Sequence, residues 1–141
     1  MFDSGSFRDP SGRILRQDGK ILRAIFNQGA ANYEAARDAG IYRRAVSRGR
    51  LVDLRETDTS LLAGIDLALR VVLEHPRLPF VSYPYEWTFS GLKTAALLHL
   101  DLHLELLADD FTLSDATAYN VQFEGTQPIF IDHLSIVPYE D

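Results

Sequence analysis

Residues 98–106 read LHLDLHLEL, and the structure of this run determines how the rest of the chain can pack. Strict alternation of leucine with polar residues is the pattern of a half-buried β-strand. The wider window 91–109, however, is rich in Leu, Ala, Lys and Glu and contains almost no β-branched residues, which favours a helix with Ser90 as its N-cap. On a helical wheel, one narrow polar stripe would contain Thr94, Asp101, Glu105 and Asp109. We therefore predict a long helix that is buried on most of its circumference.

Two β-hairpins are predicted, one before and one after this helix. The first joins residues 13–16 to residues 20–26 through Asp18-Gly19, a pair that tolerates the positive φ angles of tight hairpin turns. The second joins residues 121–123 to residues 128–132 through a turn at 124–127. Both hairpins place apolar residues on a face that could pack against the helix.

The remaining segments predict short helices and further strands. Two runs that each end at a glycine indicate helices at 30–39 and 41–48. Apolar runs indicate strands at 51–54, 69–73 and 78–83, and a helical turn is expected at 59–63. The predicted fold class is α+β, with two β-hairpins and additional strands packed on a long buried helix. We expect a single domain over residues 1–141, in which residues 1–12 form a flexible lead-in.

Composition excludes several classes of function. With no cysteine among the 141 residues, disulfides, thiolate catalysis and cysteine-ligated metals are excluded. The formal charge of −6 argues against nucleic acid as a partner, since such binding depends on Lys and Arg. The one arginine cluster, at residues 43–50, fits a solvated helix face better than a nucleic-acid footprint. Neither an export signal nor a run long enough to span a bilayer is present, so we expect no membrane association and a cytoplasmic location.

A candidate for chemistry lies near the carboxyl end, at Asp115, Asn120 and Asp132. The order Asp-x-x-x-x-Asn, then a strand pair, then Asp, is that of groups which orient a hydroxyl and hold magnesium in phosphotransfer. Asp115 would be the catalytic base, while Asn120 and Asp132 would supply oxygen ligands to Mg²⁺. The alternative is structural, because Asp and Asn commonly cap turns.

The order of elements around these residues resembles a minimal protein-kinase or aminoglycoside-phosphotransferase domain. The resemblance implies ATP as a ligand, with Lys20 and Arg23 on the first hairpin as candidates for nucleotide binding. Two positions depart from the kinase pattern. Residues 113–115 read LSD, without the usual His, and residues 132–134 read DHL, without the usual Gly. The predicted fold therefore resembles a truncated kinase-like domain whose site is either active or vestigial.

Longer strings resemble a second family. They are FRDPSGR (7–13), PFVSYPYEW (79–87), DATAYNVQF (115–123) and PIFID (128–132). These look like the amino-terminal region of bacterial class I S-adenosylmethionine-dependent methyltransferases, including nodulation host-specificity proteins; Ala118 stands where that family would have Pro. There the region precedes a Rossmann-like domain. This chain lacks the Gly-x-Gly turn that binds the adenosyl cofactor. The resemblance thus implies an accessory or substrate-recognition domain, with S-adenosylmethionine bound only by a missing or partner methyltransferase domain.

Two weaker candidates complete the sequence predictions. His99 and His103 share a helix face and could ligate zinc, although packing among leucines is the stronger expectation. The aromatic alternation in residues 83–89 could form a ligand-contacting rim, although packing in the core is again favoured. Three functions stay open: an accessory domain of a methyltransferase-type protein, a Mg²⁺-dependent phosphotransferase-like domain, and a structural interaction module.

Overall fold

The computed structural model describes residues 9–62, 64–65 and 68–140. It is a mixed α+β fold with three α-helices and several antiparallel sheets, in agreement with the predicted class. The chain divides into two compact units, which are Met1–Glu34 with Asp53–Arg77 (unit 1) and Ala35–Val52 with Leu78–Asp141 (unit 2). Most of the predicted lead-in lies outside the described residues; at its end the Asp9 carboxylate accepts a hydrogen bond from Ser11 N over 2.8 Å.

Unit 1 is built on a four-stranded antiparallel sheet in the order β1-β2-β4-β3. Its strands are β1 (Gly12–Gln17), β2 (Lys20–Phe26), β3 (Arg55–Thr57) and β4 (Leu69–His75). The predicted hairpin is confirmed. Asp18 and Gly19 form its two-residue turn with φ angles of 50° and 76°, which suit a turn that matches the twist of the strands.

One face of this sheet carries a hydrophobic cluster of unit 1. A cluster of buried apolar side chains draws on β1, β2, β4 and the turn of 3-10 helix at Thr59–Leu62, which confirms the described part of the predicted helical turn. Its members are Leu15, Leu22, Ala24, Phe26, Leu62 and Val72. Strand β2 is also buried on its other face, because Arg23 and Ile25, which alternate with the cluster residues along the strand, are buried as well.

Two short helices follow the hairpin, as predicted. They are α1 (Asn27–Asp38), within which the boundary between the units falls, and α2 (Ile41–Ser47). Gly40 separates them with a φ of 73°, a left-handed conformation that residues other than glycine adopt with strain.

Helix α3 (Phe89–Leu107) settles the ambiguity of the alternating run in favour of a helix. Its N-cap is Thr88, whose hydroxyl accepts a hydrogen bond from Gly91 N over 3.1 Å, rather than the predicted Ser90. The expectation that α3 is buried on most of its circumference is wrong. Only one stripe is buried, consisting of Ala95, Leu98, Leu102 and Leu106, while other leucines on the helix are exposed.

The strands of unit 2 form two antiparallel pairs. Strand β6 (Val121–Glu124) and strand β7 (Gln127–Phe130) form the predicted second hairpin, and β5 (Phe111–Leu113) pairs with β8 (Ile136–Pro138), which was not predicted. The predicted strand at residues 51–54 is wrong, because only Leu51 forms an isolated parallel bridge, to Phe130. The strand lies instead at β3, a few residues later.

The helices described here include none with the length and apolar character needed to cross a lipid bilayer.

Candidate functional site

The three residues predicted to carry chemistry all lie in unit 2, each at the end of a short element. Asp115 follows β5 and has a left-handed φ of 58°. Asn120 ends a single turn of 3-10 helix at Ala118–Asn120. Asp132 follows β7 and precedes a second such turn, at His133–Ser135.

Asn120 and Asp132 are in direct contact. The amide nitrogen of Asn120 donates to Asp132 Oδ2 over 3.3 Å. On its other side, the amide oxygen of Asn120 accepts hydrogen bonds from Thr117 N at 2.7 Å and from Thr117 Oγ1 at 3.3 Å. The side chain thus joins the turn that it terminates to the segment after β7, and its nitrogen rather than its oxygen faces the carboxylate.

Asp132 is half-buried and has a second partner, because its Oδ2 also accepts a hydrogen bond from the buried Ser135 hydroxyl. The backbone supports this arrangement: Ile131 N donates to Asn120 O over 2.8 Å. Such a network can orient a carboxylate, and it also fits a purely structural role.

Asp115 belongs to a loop that is held near the same segment. Ser114 N, directly before it, donates to Ser135 O over 2.7 Å. The Asp115 side chain is exposed to solvent. The catalytic role of Asp115 and the metal-binding roles of Asn120 and Asp132 therefore stay predictions. The described residues contain no group of three or more His, Asp or Glu side chains arranged to hold a metal ion.

Lys20 and Arg23, the predicted nucleotide-binding residues, lie on β2 in unit 1. Lys20 Nζ lies 3.3 Å from Glu74 Oε2, an atom that also accepts a hydrogen bond from Arg55 over 2.8 Å. The Arg55 hydrogen bond lowers the pKa of the Glu74 carboxyl below its ordinary value. Arg23 is buried, and its charge contributes to the low pKa of His75. Nucleotide binding by these two residues stays a prediction.

His133, directly after Asp132, is a residue whose role the sequence did not reveal. It is fully buried, its Nε2 donates to Val52 O over 2.9 Å, and its carbonyl accepts a hydrogen bond from the Tyr42 hydroxyl over 3.3 Å. The Tyr42 and His133 rings also meet, with centroids 5.7 Å apart. His133 thus anchors the segment after β7 to the interior of unit 2.

The two histidines of α3 have separate surroundings. His103 Nε2 hydrogen-bonds to Thr112 Oγ1 over 2.9 Å, whereas the His99 ring meets the Phe130 ring edge-on, with centroids 6.3 Å apart. Partial burial lowers the pKa of His99, and the neighbouring His103 lowers it further. Both rings are therefore used in packing and hydrogen bonding within unit 2.

The predicted strand at residues 78–83 is wrong, and the reason lies in Gln122. Ser82 N donates to the Gln122 side-chain oxygen over 2.9 Å, and the Gln122 amide nitrogen donates to Ser82 O over 3.0 Å. A buried side chain thus satisfies the backbone groups that a neighbouring strand would otherwise satisfy. Pro79 and Pro84 also lack the N–H that a ladder requires.

The aromatic residues 83–89 do not pack in the core as expected, except in part for Trp87. Its indole nitrogen donates to Ser82 Oγ over 2.8 Å, and its ring meets Phe123 edge-on at 5.1 Å. The others are exposed. Together with two further exposed rings they are called the aromatic surface here, which consists of Phe80, Tyr83, Tyr85, Phe89 and Tyr119. The Tyr83 and Tyr85 rings stack with an interplanar angle of 6°.

Charge near the aromatic surface is negative. The Tyr83 backbone donates to the Glu86 carboxylate over 2.8 Å, which fixes this acid beside the tyrosines. Desolvation raises the pKa of Tyr85, and the charge of Glu86 raises it further. Tyr85 therefore stays neutral over the physiological range and offers a flat ring with a polar tip.

A groove of about 440 Å³ also lies in unit 2, bordered by Arg48–Arg50, by residues 94–101 in the middle of α3 and by the β6–β7 hairpin. Its two arginines are paired with acids of α3. Arg50 contacts Glu105 at 3.3 Å and Asp101 at 3.6 Å, and Arg48 contacts Glu105 at 3.3 Å. Part of the predicted arginine face, Arg48 and Arg50, thus forms an ion-pair network along the polar stripe of α3, while Arg43 and Arg48 are exposed to solvent as expected.

Comparison with known proteins gives one informative similarity. The chain is 52% identical over 138 residues to nodulation protein NoeA of Rhizobium meliloti (strain 1021), a match that covers 98% of this chain and 29% of that protein. No model of a known protein family matches the chain, and no solved structure matches it. The chain is therefore similar to under a third of a longer nodulation protein.

Proposed function

We propose that this chain is a non-catalytic accessory module of a longer, methyltransferase-type protein, and that its role is substrate recognition. The observation that carries the proposal is the extent of the match to the Rhizobium meliloti protein: nearly all of this chain corresponds to 29% of the longer polypeptide. The rest of the longer chain is large enough to contain a catalytic domain, which the segment similar to this chain would assist.

The contacts of the candidate site support a non-catalytic role. The Asn120 amide is bound to Thr117 through its oxygen and to Asp132 through its nitrogen, while Asp132 also receives the Ser135 hydroxyl. These hydrogen bonds use the groups that a substrate or cation would otherwise contact. The described part of the chain also contains no Gly-x-Gly turn between a strand and a helix, so a site for S-adenosylmethionine belongs to a further or partner domain.

The aromatic surface supports recognition. Tyr85 is 75% exposed and Phe89 is 82% exposed, which is unusual for large rings in a packed domain. Trp87 and Gln122 hold the segment that carries them, so the rings are presented on a fixed backbone. Rigid aromatic groups of this kind supply contact area at a low cost in conformational entropy.

Calorimetric titration of the chain with S-adenosylmethionine, and of the full-length Rhizobium meliloti protein as its counterpart, tests the proposal. We expect no saturable heat with the 141-residue chain and saturable heat with the longer protein. Saturable binding of S-adenosylmethionine by the chain alone would overturn the accessory role. Absence of binding by the longer protein would overturn the methyltransferase-type assignment while leaving the accessory role intact.

A second candidate is a phosphotransferase-like domain, which requires the Asn120 and Asp132 side chains to lie as close together as they do. In this function Asp115 is the base, Asn120 and Asp132 hold Mg²⁺, and Lys20 and Arg23 contact ATP. Metal binding would require the Asn120 amide to turn its oxygen from Thr117 towards Asp132. Titration with Mg-ATP discriminates: heat that disappears in Asp132→Ala but persists in the exposed control Glu124→Ala supports this function, and no heat with the unaltered chain excludes it.

A further inference from the structure

Helix α3 has a second apolar face that unit 2 does not cover. The buried stripe packs into the unit, but a second row of leucines lies on the opposite side of the helix, with exposed fractions between 40% and 66%. This row, which we call the leucine face, consists of Leu97, Leu100, Leu104 and Leu107. A helix that is apolar on opposite sides is characteristically covered on both of them.

The spacing of the leucine face identifies the shape of its partner. The intervals are three, four and three residues, which is the a/d pattern of a helix that packs lengthwise against another helix. Leu92, exposed on the same helix, falls at a c position outside this seam. The face extends over three turns, so the complementary surface is a straight apolar helix rather than a small ligand.

We propose that the leucine face binds the same face of a second copy of this chain, with the two α3 helices antiparallel. Aligning the helices for the greatest overlap sets Leu97 of one copy opposite Leu107 of the other, and Leu100 opposite Leu104. All four leucines are then paired, and the arrangement closes with two-fold symmetry.

Charge complementarity determines the antiparallel direction. Lys93 is an exposed cation four residues before Leu97, while Asp110 follows the helix at its carboxyl end; the neighbouring Asp109 is paired with Arg44 of its own copy over 2.9 Å. In the antiparallel pair, Lys93 of each copy lies near the level of Asp110 in the other copy, next to the negative end of the helix dipole. A parallel pair would bring lysine beside lysine and acid beside acid.

The edges and the area of the face agree with a weak dimer. Asp101, which flanks the seam near the two-fold axis, is 3.6 Å from the Arg50 guanidinium, so its charge is partly neutralised within its own copy. Covering the face on both copies would bury on the order of 1,000 Å² in all, which is near the lower limit for a specific interface. We therefore expect association at roughly micromolar concentration or above.

Sedimentation velocity of the chain from low micromolar to submillimolar concentration tests the dimer. The unaltered chain is expected to shift from monomer to dimer, and Leu104→Glu is expected to weaken association more than about thirtyfold. Leu92→Glu, at the c position, should associate like the unaltered chain, and circular dichroism checks that both variants fold. A chain that stays monomeric throughout, or equal association of both variants, would overturn the proposal; the monomeric result would leave another segment of a longer polypeptide as the cover.

Disulfide trapping tests the direction, since the chain contains no cysteine of its own. Leu100→Cys and Leu104→Cys chains are mixed and oxidised under dilute conditions. The antiparallel pairing predicts that the mixed disulfide forms faster than either symmetric one, because residues 100 and 104 of opposite copies lie at the same level. Faster formation of both symmetric disulfides would indicate parallel helices and overturn the antiparallel arrangement.

Discussion

Asn120 and Asp132 lie twelve residues apart in the chain and in contact in the fold, with the Asn120 amide nitrogen 3.3 Å from Asp132 Oδ2. The amide oxygen accepts from Thr117 N at 2.7 Å, so one side chain supports both the turn before β6 and the segment after β7. This double role explains why an amide at position 120 suits the fold whether or not the site binds a cation.

Replacing Asn120 separates these two contacts. Asn120→Ala loses both and is expected to lower the free energy of unfolding by about 1–2 kcal/mol, because Thr117 N and Asp132 each lose a partner. Asn120→Asp keeps an acceptor for Thr117 but sets a second carboxylate against Asp132, so it should be destabilised at pH 7 and improve as the pH falls through the carboxyl range. Urea unfolding at several pH values measures this. Equal stability of all three proteins would contradict a structural role.

A second prediction concerns the ion pairs along the polar stripe of α3. Glu105 contacts Arg48 and Arg50 at 3.3 Å each, and the Arg50 and Glu105 side chains are less than one-third exposed. Glu105→Gln is expected to cost about 1 kcal/mol at low ionic strength, and the cost should shrink in high salt. Asp109 is paired with Arg44 over 2.9 Å at a more exposed position, so Asp109→Asn should cost less. Thermal unfolding at two salt concentrations tests this; a cost that does not depend on salt would contradict an electrostatic origin.

Features with local causes were predictable from the sequence. The turn at Asp18-Gly19 depends on two residues that tolerate positive φ, and α3 follows from the helix propensity of its own residues. The side of α3 that faces solvent could not be read, because leucines occupy both sides of the helix. The pairing of β5 with β8 could not be predicted either, because more than twenty residues separate the two strands. The hydrogen bonds of Ser82 are likewise made by Gln122, a side chain forty residues away, rather than by a neighbouring strand.

In the candidate site, too, some features could be predicted from the sequence and others depend on tertiary packing. The order of elements predicts that Asn120 and Asp132 lie close together, as they do, while their role as Mg²⁺ ligands stays a prediction. The burial of His133 and the exposure of Tyr85 were not foreseen. Histidine is usually less buried and tyrosine less exposed than these two residues are. Only the tertiary packing of unit 2 determines their burial.

The two faces of α3 predict a sharp contrast between leucines. Leu102 is fully buried, so Leu102→Ala is expected to lower the free energy of unfolding by about 2–5 kcal/mol through lost burial and the cavity left behind. Leu92 is 45% exposed, and Leu92→Ala should cost less than about 1 kcal/mol. Guanidinium unfolding at low protein concentration compares the two variants. A similar cost at both positions would contradict the observed orientation of the helix.

The final prediction concerns acid stability and His75. The pKa of His75 is lowered from 6.5 to about 4. Burial is the largest cause and the charge of Arg23 adds to it, while the hydrogen bond from Nδ1 to Asp53 O opposes both effects in part. The unfolded chain therefore binds a proton below pH 6.5, whereas the folded chain does so only below about pH 4. The stability that the neutral ring contributes is therefore present above pH 6.5 and is lost as the pH falls from 6.5 to about 4, the window referred to below.

The loss is expected to reach on the order of 3 kcal/mol at the acid end of the window. His75→Gln can still donate to Asp53 O but does not titrate, so its unfolding free energy should change less between pH 6.5 and 4 than that of the unaltered chain. His99, whose pKa is also lowered, contributes equally to both proteins and cancels in the comparison. The lowered carboxyl pKa values of Asp58 and Glu74 act below their own ordinary values, mostly outside the window. Parallel pH profiles for the two proteins would show that His75 is not the group that couples acid to unfolding.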